Sequence, residues 1–173
     1  MTHPKNKYAL VADIGGTNTR VALSDGQQLV DGTIRRYSNA DYPELETVLR
    51  QYIADEGGVD LIAACVAVAG PVRDGQATMT NLDWGIDKDT LARATNSETV
   101  AILNDLQAQG HALGHLDPAN VRTIIDGPDG KPNAASLVVG IGTGFNAAPV
   151  FETKGGRLVA PSESGHANLP IRT

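Results

Sequence analysis

Residues 59–70 read Val-Asp-Leu-Ile-Ala-Ala-Cys-Val-Ala-Val-Ala-Gly, and no other stretch limits the fold so strongly. Small and β-branched apolar residues follow one another there without the polar alternation of a half-solvated strand. Such a run reads as a strand buried on both faces, which calls for a parallel or mixed sheet covered by helices. Cys65, inside the run, reads as a small core residue. Residues 100–103 (Val-Ala-Ile-Leu) and 135–139 (Ala-Ser-Leu-Val-Val) are shorter runs of the same kind. Strands of this type alternating with helical patterns indicate an α/β fold, in which ligands collect at strand ends.

Residues 9–20 contain the first polar cluster at such an end. An apolar run to Ala12 is followed by Asp13, Ile14, Gly15, Gly16, Thr17 and Asn18, and a second alternating run starts at Arg20. The pattern predicts a hairpin whose turn is Gly15, Gly16, Thr17 and Asn18. Glycines allow positive φ and close approach of a ligand, so successive N–H groups can face an anion. Two glycines alone fit an ordinary tight turn equally well. Thr17 and Asn18 add donors, Arg20 adds a cation, and Asp13 adds a hard oxygen ligand suited to hydrated magnesium. Together they favour phosphate binding.

Further along, residues 28–37 look strand-like with a break at Asp31-Gly32. Asp41 is placed to cap a helix, with Pro43 in its first turn and Glu44 in capping-box register. Tyr42, Leu45, Val48, Leu49, Tyr52 and Ile53 form its apolar face, and Gly57-Gly58 ends it. Asp87 is expected to cap a second helix, with Ile86 and Leu91 as a hydrophobic staple. A third helical pattern covers residues 106–116, loosened by Gly110 and Gly114, and strands are expected at 122–125 and 136–140. A domain boundary is placed near residue 110, giving domains 1–110 and 111–173. No internal repeat is legible.

The chain has 173 residues, enough for a substantial core, with 41% hydrophobic and 20% charged residues. Its net charge of −6 argues against nucleic acid or an anionic membrane as the main partner. Cys65 is the only cysteine, which excludes an intramolecular disulfide and a multi-cysteine metal site within these residues. The N-terminal residues lead into an apolar run too short for a signal peptide or a membrane span. A cytoplasmic protein is expected.

Three more polar clusters stand at strand ends. Asn104-Asp105 follows residues 101–103 (Ala-Ile-Leu). Asp105 reads either as a helix cap or as a general base, and capping weakens a base by favouring its charged form. Phosphoryl transfer tolerates a weak base, because its transition state depends mainly on positioning and electrostatics. Residues 140–144 (Gly-Ile-Gly-Thr-Gly) form a second glycine turn that matches neither the P-loop nor the dinucleotide fingerprint. Glu163 and His166 bring a carboxylate and an imidazole together, a pairing suited to a polyhydroxylated ring, with zinc as the rival for His166. His111 and His115 share a helical face with no third ligand beside them and read as surface residues.

With these clusters in this order, the chain resembles the bacterial ATP-dependent glucokinases of the actin-like sugar-kinase superfamily. The landmarks are residues 10–18 (Leu-Val-Ala-Asp-Ile-Gly-Gly-Thr-Asn), 79–84 (Met-Thr-Asn-Leu-Asp-Trp), 102–105 (Ile-Leu-Asn-Asp), 140–144, and 163–166 (Glu-Ser-Gly-His). The resemblance implies an actin-like (ribonuclease H-like) fold, with a small N-terminal domain and the start of a larger one. It implies glucose and MgATP as substrates and glucose 6-phosphate as product. Asp105 would be the catalytic base toward the sugar 6-hydroxyl, and Asn104, Glu163, His166, Thr143 and Gly144 would contact the sugar. Gly15, Gly16, Thr17, Asn18, Gly142 and Thr143 would serve the nucleotide phosphates, with Asp13 helping to hold Mg2+ through water. A homodimer is implied for the full-length protein.

Two departures accompany the resemblance. Phe145-Asn146 replaces the family's usual Leu-Gly, and Asn146 is expected to preserve the turn in the left-handed conformation. The family is also about twice as long, so these residues alone are expected to be poorly active. One alternative is a repressor/kinase-type kinase for mannose or an N-acetyl amino sugar; those carry a cysteine-rich zinc motif beyond the position of Thr173. Another is a non-catalytic sugar sensor. Such sensors carry an N-terminal DNA-binding domain, for which the position of the first phosphate loop leaves no room.

Overall fold

The computed structural model describes residues 7–79, 82–128, 130–131, 134–141 and 145–162. The chain divides into two compact units, Met1–Asp105 and Leu106–Thr173.

The first unit opens with β1 (Tyr8–Ile14), β2 (Asn18–Ser24) and β3 (Arg35–Ser38), paired antiparallel in succession. A short 3-10 turn, Asn39–Asp41, leads to helix α1 (Leu45–Asp55). Strand β4 (Leu61–Val68) returns parallel to β1. Next come three two-residue strands, β5 (Val72–Arg73), β6 (Gln76–Ala77) and β7 (Ile86–Asp87), which pair as a small antiparallel sheet. Helix α2 (Lys88–Thr95) and β8 (Thr99–Asn104), parallel to β4, complete the unit. The main sheet runs β3-β2-β1-β4-β8, with antiparallel strands on one side and parallel strands on the other.

The apolar face of α1 buries Leu45, Val48, Leu49 and Tyr52, and α2 adds Leu91 and Ala94. They share one core with Leu10, Ile14, Leu23, Ala64, Val66 and Val68 of the sheet. The Asp87 carboxylate accepts the Thr90 N–H at 2.7 Å, so the predicted second cap is present. Helix α1 starts later than its sequence signals indicate. Asp41 belongs to the 3-10 turn, and Glu44 occupies the cap position without a side-chain bond. The local signals were outweighed because Asn39, two residues before Asp41, is committed to the hairpin turn described below.

β4 departs from expectation on its second face. Leu61, Ala64, Val66 and Val68 are buried, but Ala63, Cys65 and Ala67 are only half-buried and Ile62 is 49% exposed. Helices α1 and α2 of this unit both pack on the first face. The small size of the residues on the other face had hidden the difference in the sequence.

The second unit contains most of α3 (Asp105–Ala112) and the strands β9 (Ser136–Ile141), β10 (Phe145–Thr153) and β11 (Gly156–Val159). These strands form an antiparallel sheet in the order β11-β10-β9. Leu106, Ala148, Val150 and Val159 make its core. Gly110, expected to loosen the helix, instead lets it approach the sheet: a Cβ there would lie 2.7 Å from Val159 Cγ1 and 3.0 Å from Val150 Cγ2. Arg157 donates to the carbonyls of Gly110, His111 and Leu113 at the end of α3 and pairs with Glu152. The strand expected at 122–125 is absent; Ile124 and Ile125 are 88% and 85% exposed, with no sheet partner. Their β-branched character alone produced that reading. Both units thus contain a three-stranded antiparallel meander, β1-β2-β3 in the first and β9-β10-β11 in the second.

Candidate functional site

Parallel pairing sets the geometry of the site. Ile14 of β1 faces Val68 of β4, and Val68 faces Asn104 of β8, so the three residues occupy one row across the sheet. One residue further along, the chain leaves β1 at Gly15 and β8 at Asp105. The glycine turn and Asp105 therefore emerge from the same edge of one sheet, separated by two strand spacings, roughly 10 Å.

The turn itself is built from below. Gly15 donates its N–H to the Asn18 carbonyl at 3.0 Å, closing the hairpin. The N–H groups of Gly16 and Thr17 have no acceptor among the described residues. Neither Gly15 nor Gly16 has positive φ, so the turn does not draw on glycine's left-handed freedom. A Cβ on Gly15 would lie 3.4 Å from the Asn18 carbonyl oxygen, an ordinary contact. Glycine at this turn therefore serves open access to the backbone rather than a left-handed bend. The Gly15 N–H, one of the four the sequence reading assigns to phosphate, is thus taken up within the turn.

Asn39 was not singled out in the sequence. It is 3% exposed, and its Nδ2 donates to the Gly15 carbonyl at 2.8 Å. Its Oδ1 accepts from Thr19 Oγ1 at 2.8 Å, and its backbone N–H donates to the Thr17 carbonyl at 2.9 Å. A single asparagine opening a 3-10 turn right after a strand has no sequence signature, since its side-chain partners lie 20 and 24 residues away.

Asp13 stands on the sheet face opposite the main core, directly across from Arg20 in the β1–β2 register. Their side chains approach to 3.4 Å and are 55% and 62% exposed, so this is a solvated cross-strand pair. The Asp13 carboxylate is a hard oxygen donor open to solvent, as a hydrated divalent ion requires. Among the described residues no cluster of three or more His, Cys, Asp or Glu could hold a metal ion. One carboxylate fits magnesium that brings phosphate ligands and water with it, and does not fit a resident structural ion.

At the other end of the row, Asn104 is 3% exposed and its Nδ2 donates to the Gly70 carbonyl at 3.0 Å. That bond ties β8 to the chain leaving β4. Gly70 is required there, because a Cβ would lie 2.3 Å from the Thr78 carbonyl oxygen. Asp105 is the first residue of α3 and is half-buried. Gly142, Thr143, Gly144, Glu163 and His166 lie outside the described residues. Asn146, next to them, is in β10 and not in the left-handed region that was expected for it. Its Nδ2 donates to the Ser162 carbonyl at 2.9 Å, joining the start of β10 to the segment that leads into Glu163.

Comparison with known proteins gives the arrangement its relatives. The glucokinase family model matches residues 10–173. A glucokinase of Caulobacter vibrioides (strain NA1000 / CB15N) is 39% identical over 162 residues, covering 91% of this chain and 48% of its own. The chain thus spans about half the length of the curated glucokinases it matches. A crystal structure of a glucokinase from an Antarctic psychrotroph superposes with a TM-score of 0.82 at 32% identity, covering 98% of this chain and 54% of that one. The glucokinase of Balamuthia mandrillaris, solved in complex with glucose, gives a TM-score of 0.63 at 26% identity, with 94% and 49% covered. The fold is that of the actin-like sugar kinases. By the family match over residues 10–173, the chain belongs to the glucokinase family.

Proposed function

We propose that the whole protein transfers a phosphoryl group from MgATP to the 6-hydroxyl of glucose. The observation that carries this reading is the row Ile14–Val68–Asn104, from which a glycine turn with open N–H groups and a carboxylate leave the same sheet edge. Asp105 accepts the proton of the sugar hydroxyl as it attacks, in line, the terminal phosphorus. Asn104 holds the approach to Asp105 in place through Gly70 and, with Glu163, His166, Thr143 and Gly144, contacts the sugar. Gly16, Thr17 and Asn18 donate to phosphate oxygens from the first turn, with Gly15 shaping it, and Gly142 and Thr143 serve the second turn. Asp13 would hold magnesium through water, and the ion, when bound, neutralises charge on the phosphates.

The glucose complex of the Balamuthia relative supports glucose as the acceptor. The reading carries with it a small domain of residues 1–110, the beginning of a larger one at 111–173, a homodimer and a cytoplasmic site of action. Among the described residues no helix is long and apolar enough to cross a membrane. The deciding experiment is a coupled ADP-release assay on the full-length protein, and beside it on the 173-residue chain, with glucose, mannose and N-acetylglucosamine. Glucose is expected to give the highest kcat/KM. Asp105→Ala should lower kcat by about 10²–10⁴-fold while hexose binding is partly retained. Equal rates for Asp105→Ala and the unaltered protein, or a preference for the acetylated sugar, would reject the reading.

A further inference from the structure

We infer that Asn39 is a positioning residue for the triphosphate: it turns the peptide units of the first glycine turn so that their N–H groups face the anion. The inference rests on the phosphate-binding reading of that turn. In a trans peptide the C=O and the following N–H point in opposite directions. The Gly15 carbonyl and the Gly16 N–H belong to one such unit, and the Thr17 carbonyl and the Asn18 N–H to another; no peptide bond among the described residues is cis. Both carbonyls are drawn to Asn39, one by its side-chain amide at 2.8 Å and the other by its backbone N–H at 2.9 Å. The Gly16 and Asn18 N–H groups are thereby turned away from Asn39. With the Thr17 N–H between them, which has no acceptor among the described residues, they make a run of three N–H groups of the kind that forms an anion-binding concavity.

The side chain cannot rotate out of this role. It is buried, and its Oδ1 is held by the Thr19 hydroxyl, itself 0% exposed, which keeps Nδ2 directed at Gly15. Without Asn39 the peptide between Gly15 and Gly16 loses its anchor and can turn its carbonyl toward the anion, which repels phosphate. Alanine at position 39 keeps the backbone bond to Thr17 and removes both side-chain bonds. Aspartate keeps an acceptor for Thr19, removes the donor to Gly15 and adds a buried negative charge, whereas alanine removes both bonds without adding charge, so an effect common to the two variants reports the lost donor.

The experiment uses Asn39→Ala, Asn39→Asp and Thr19→Val, the last preserving side-chain shape. Backbone hydrogen exchange in the 173-residue chain is read at Gly15, whose N–H closes the turn, and at Leu10 and Val21 in the ladder. Steady-state kinetics of the full-length protein give KM for MgATP and for glucose. Asn39→Ala and Asn39→Asp are expected to speed Gly15 exchange and raise KM for MgATP about tenfold, the scale of one well-placed hydrogen bond. Exchange at Leu10 and Val21 and KM for glucose should stay within about twofold, a split that general destabilisation would not produce. Thr19→Val should move the same quantities in the same direction by a smaller factor. Unchanged Gly15 exchange, or parallel losses for MgATP and glucose, would overturn the inference alone. Failure of the unaltered full-length protein to saturate with MgATP would instead remove the phosphate reading, and this inference with it.

Discussion

Asn104 and Gly70 are joined by a 3.0 Å bond from the buried side-chain amide of one to the backbone carbonyl of the other. The bond links the carboxyl ends of two neighbouring parallel strands and fixes the backbone from which Asp105 departs. The chain at Gly70 also passes so close to Thr78 that no side chain fits between them.

Gly70→Ala is therefore expected to destabilise the protein. The added methyl would meet the Thr78 carbonyl oxygen at 2.3 Å, and backbone must move on one side or the other. Overpacking of this kind costs about 1–3 kcal/mol. Urea denaturation gives the value, and a variant as stable as the original would show that the Gly70–Thr78 approach is looser than described.

The Asp87 cap supplies a pH dependence. The Thr90 N–H holds the Asp87 carboxyl below the usual carboxylate range, with burial opposing it. Its folded-state value is depressed, so the stabilisation is present above the ordinary aspartate value and is lost as pH falls through the folded one. Asp87→Ala should cost about 1 kcal/mol near neutral pH. The difference between the two proteins should shrink in acid; thermal melts from neutral pH downward check it, and a gap that widens in acid would contradict the cap.

Arg157 is the main polar tie between α3 and the β10–β11 hairpin. Its guanidinium donates to three carbonyls at the helix end, and its Nη2 pairs with Glu152. Hydrogen bonds from a charged group contribute about 1.5–3 kcal/mol, so Arg157→Ala should lose stability on that scale. Arg157→Lys should recover only part of it, because an ammonium cannot span the fork of acceptors. Proteolysis of residues 106–162 in the two variants would separate these outcomes.

Cys65 lies on the half-covered face of β4, and burial pushes its thiol above the ordinary range. Only the thiolate is nucleophilic, so alkylation by iodoacetamide at pH 8 should be slow in the folded chain and rapid in denaturant. Equal rates in the two states would mean that the open face of the sheet exposes the sulfur.

The sequence by itself determined the strands that matter. The apolar runs at 8–12, 59–70 and 100–103 are short and almost free of polar interruption, and the Asp87 cap and the Gly57-Gly58 stop are local signals that need no distant partner. The motifs around Asp13 and Asp105 were legible for the same reason, since each lies within a few residues of a strand end. Tertiary structure alone decided how those ends relate. Parallel register aligned Ile14 with Asn104 across 90 residues of chain, and no local pattern encodes a register. It also delayed α1, left one face of β4 half open, and recruited Asn39 beneath the glycine turn. Those outcomes depend on residues far apart in the chain, through packing for β4 and through hydrogen bonds spanning 20 and 24 residues for Asn39, where the identity of a side chain says what it can bond to and only the fold says what it meets.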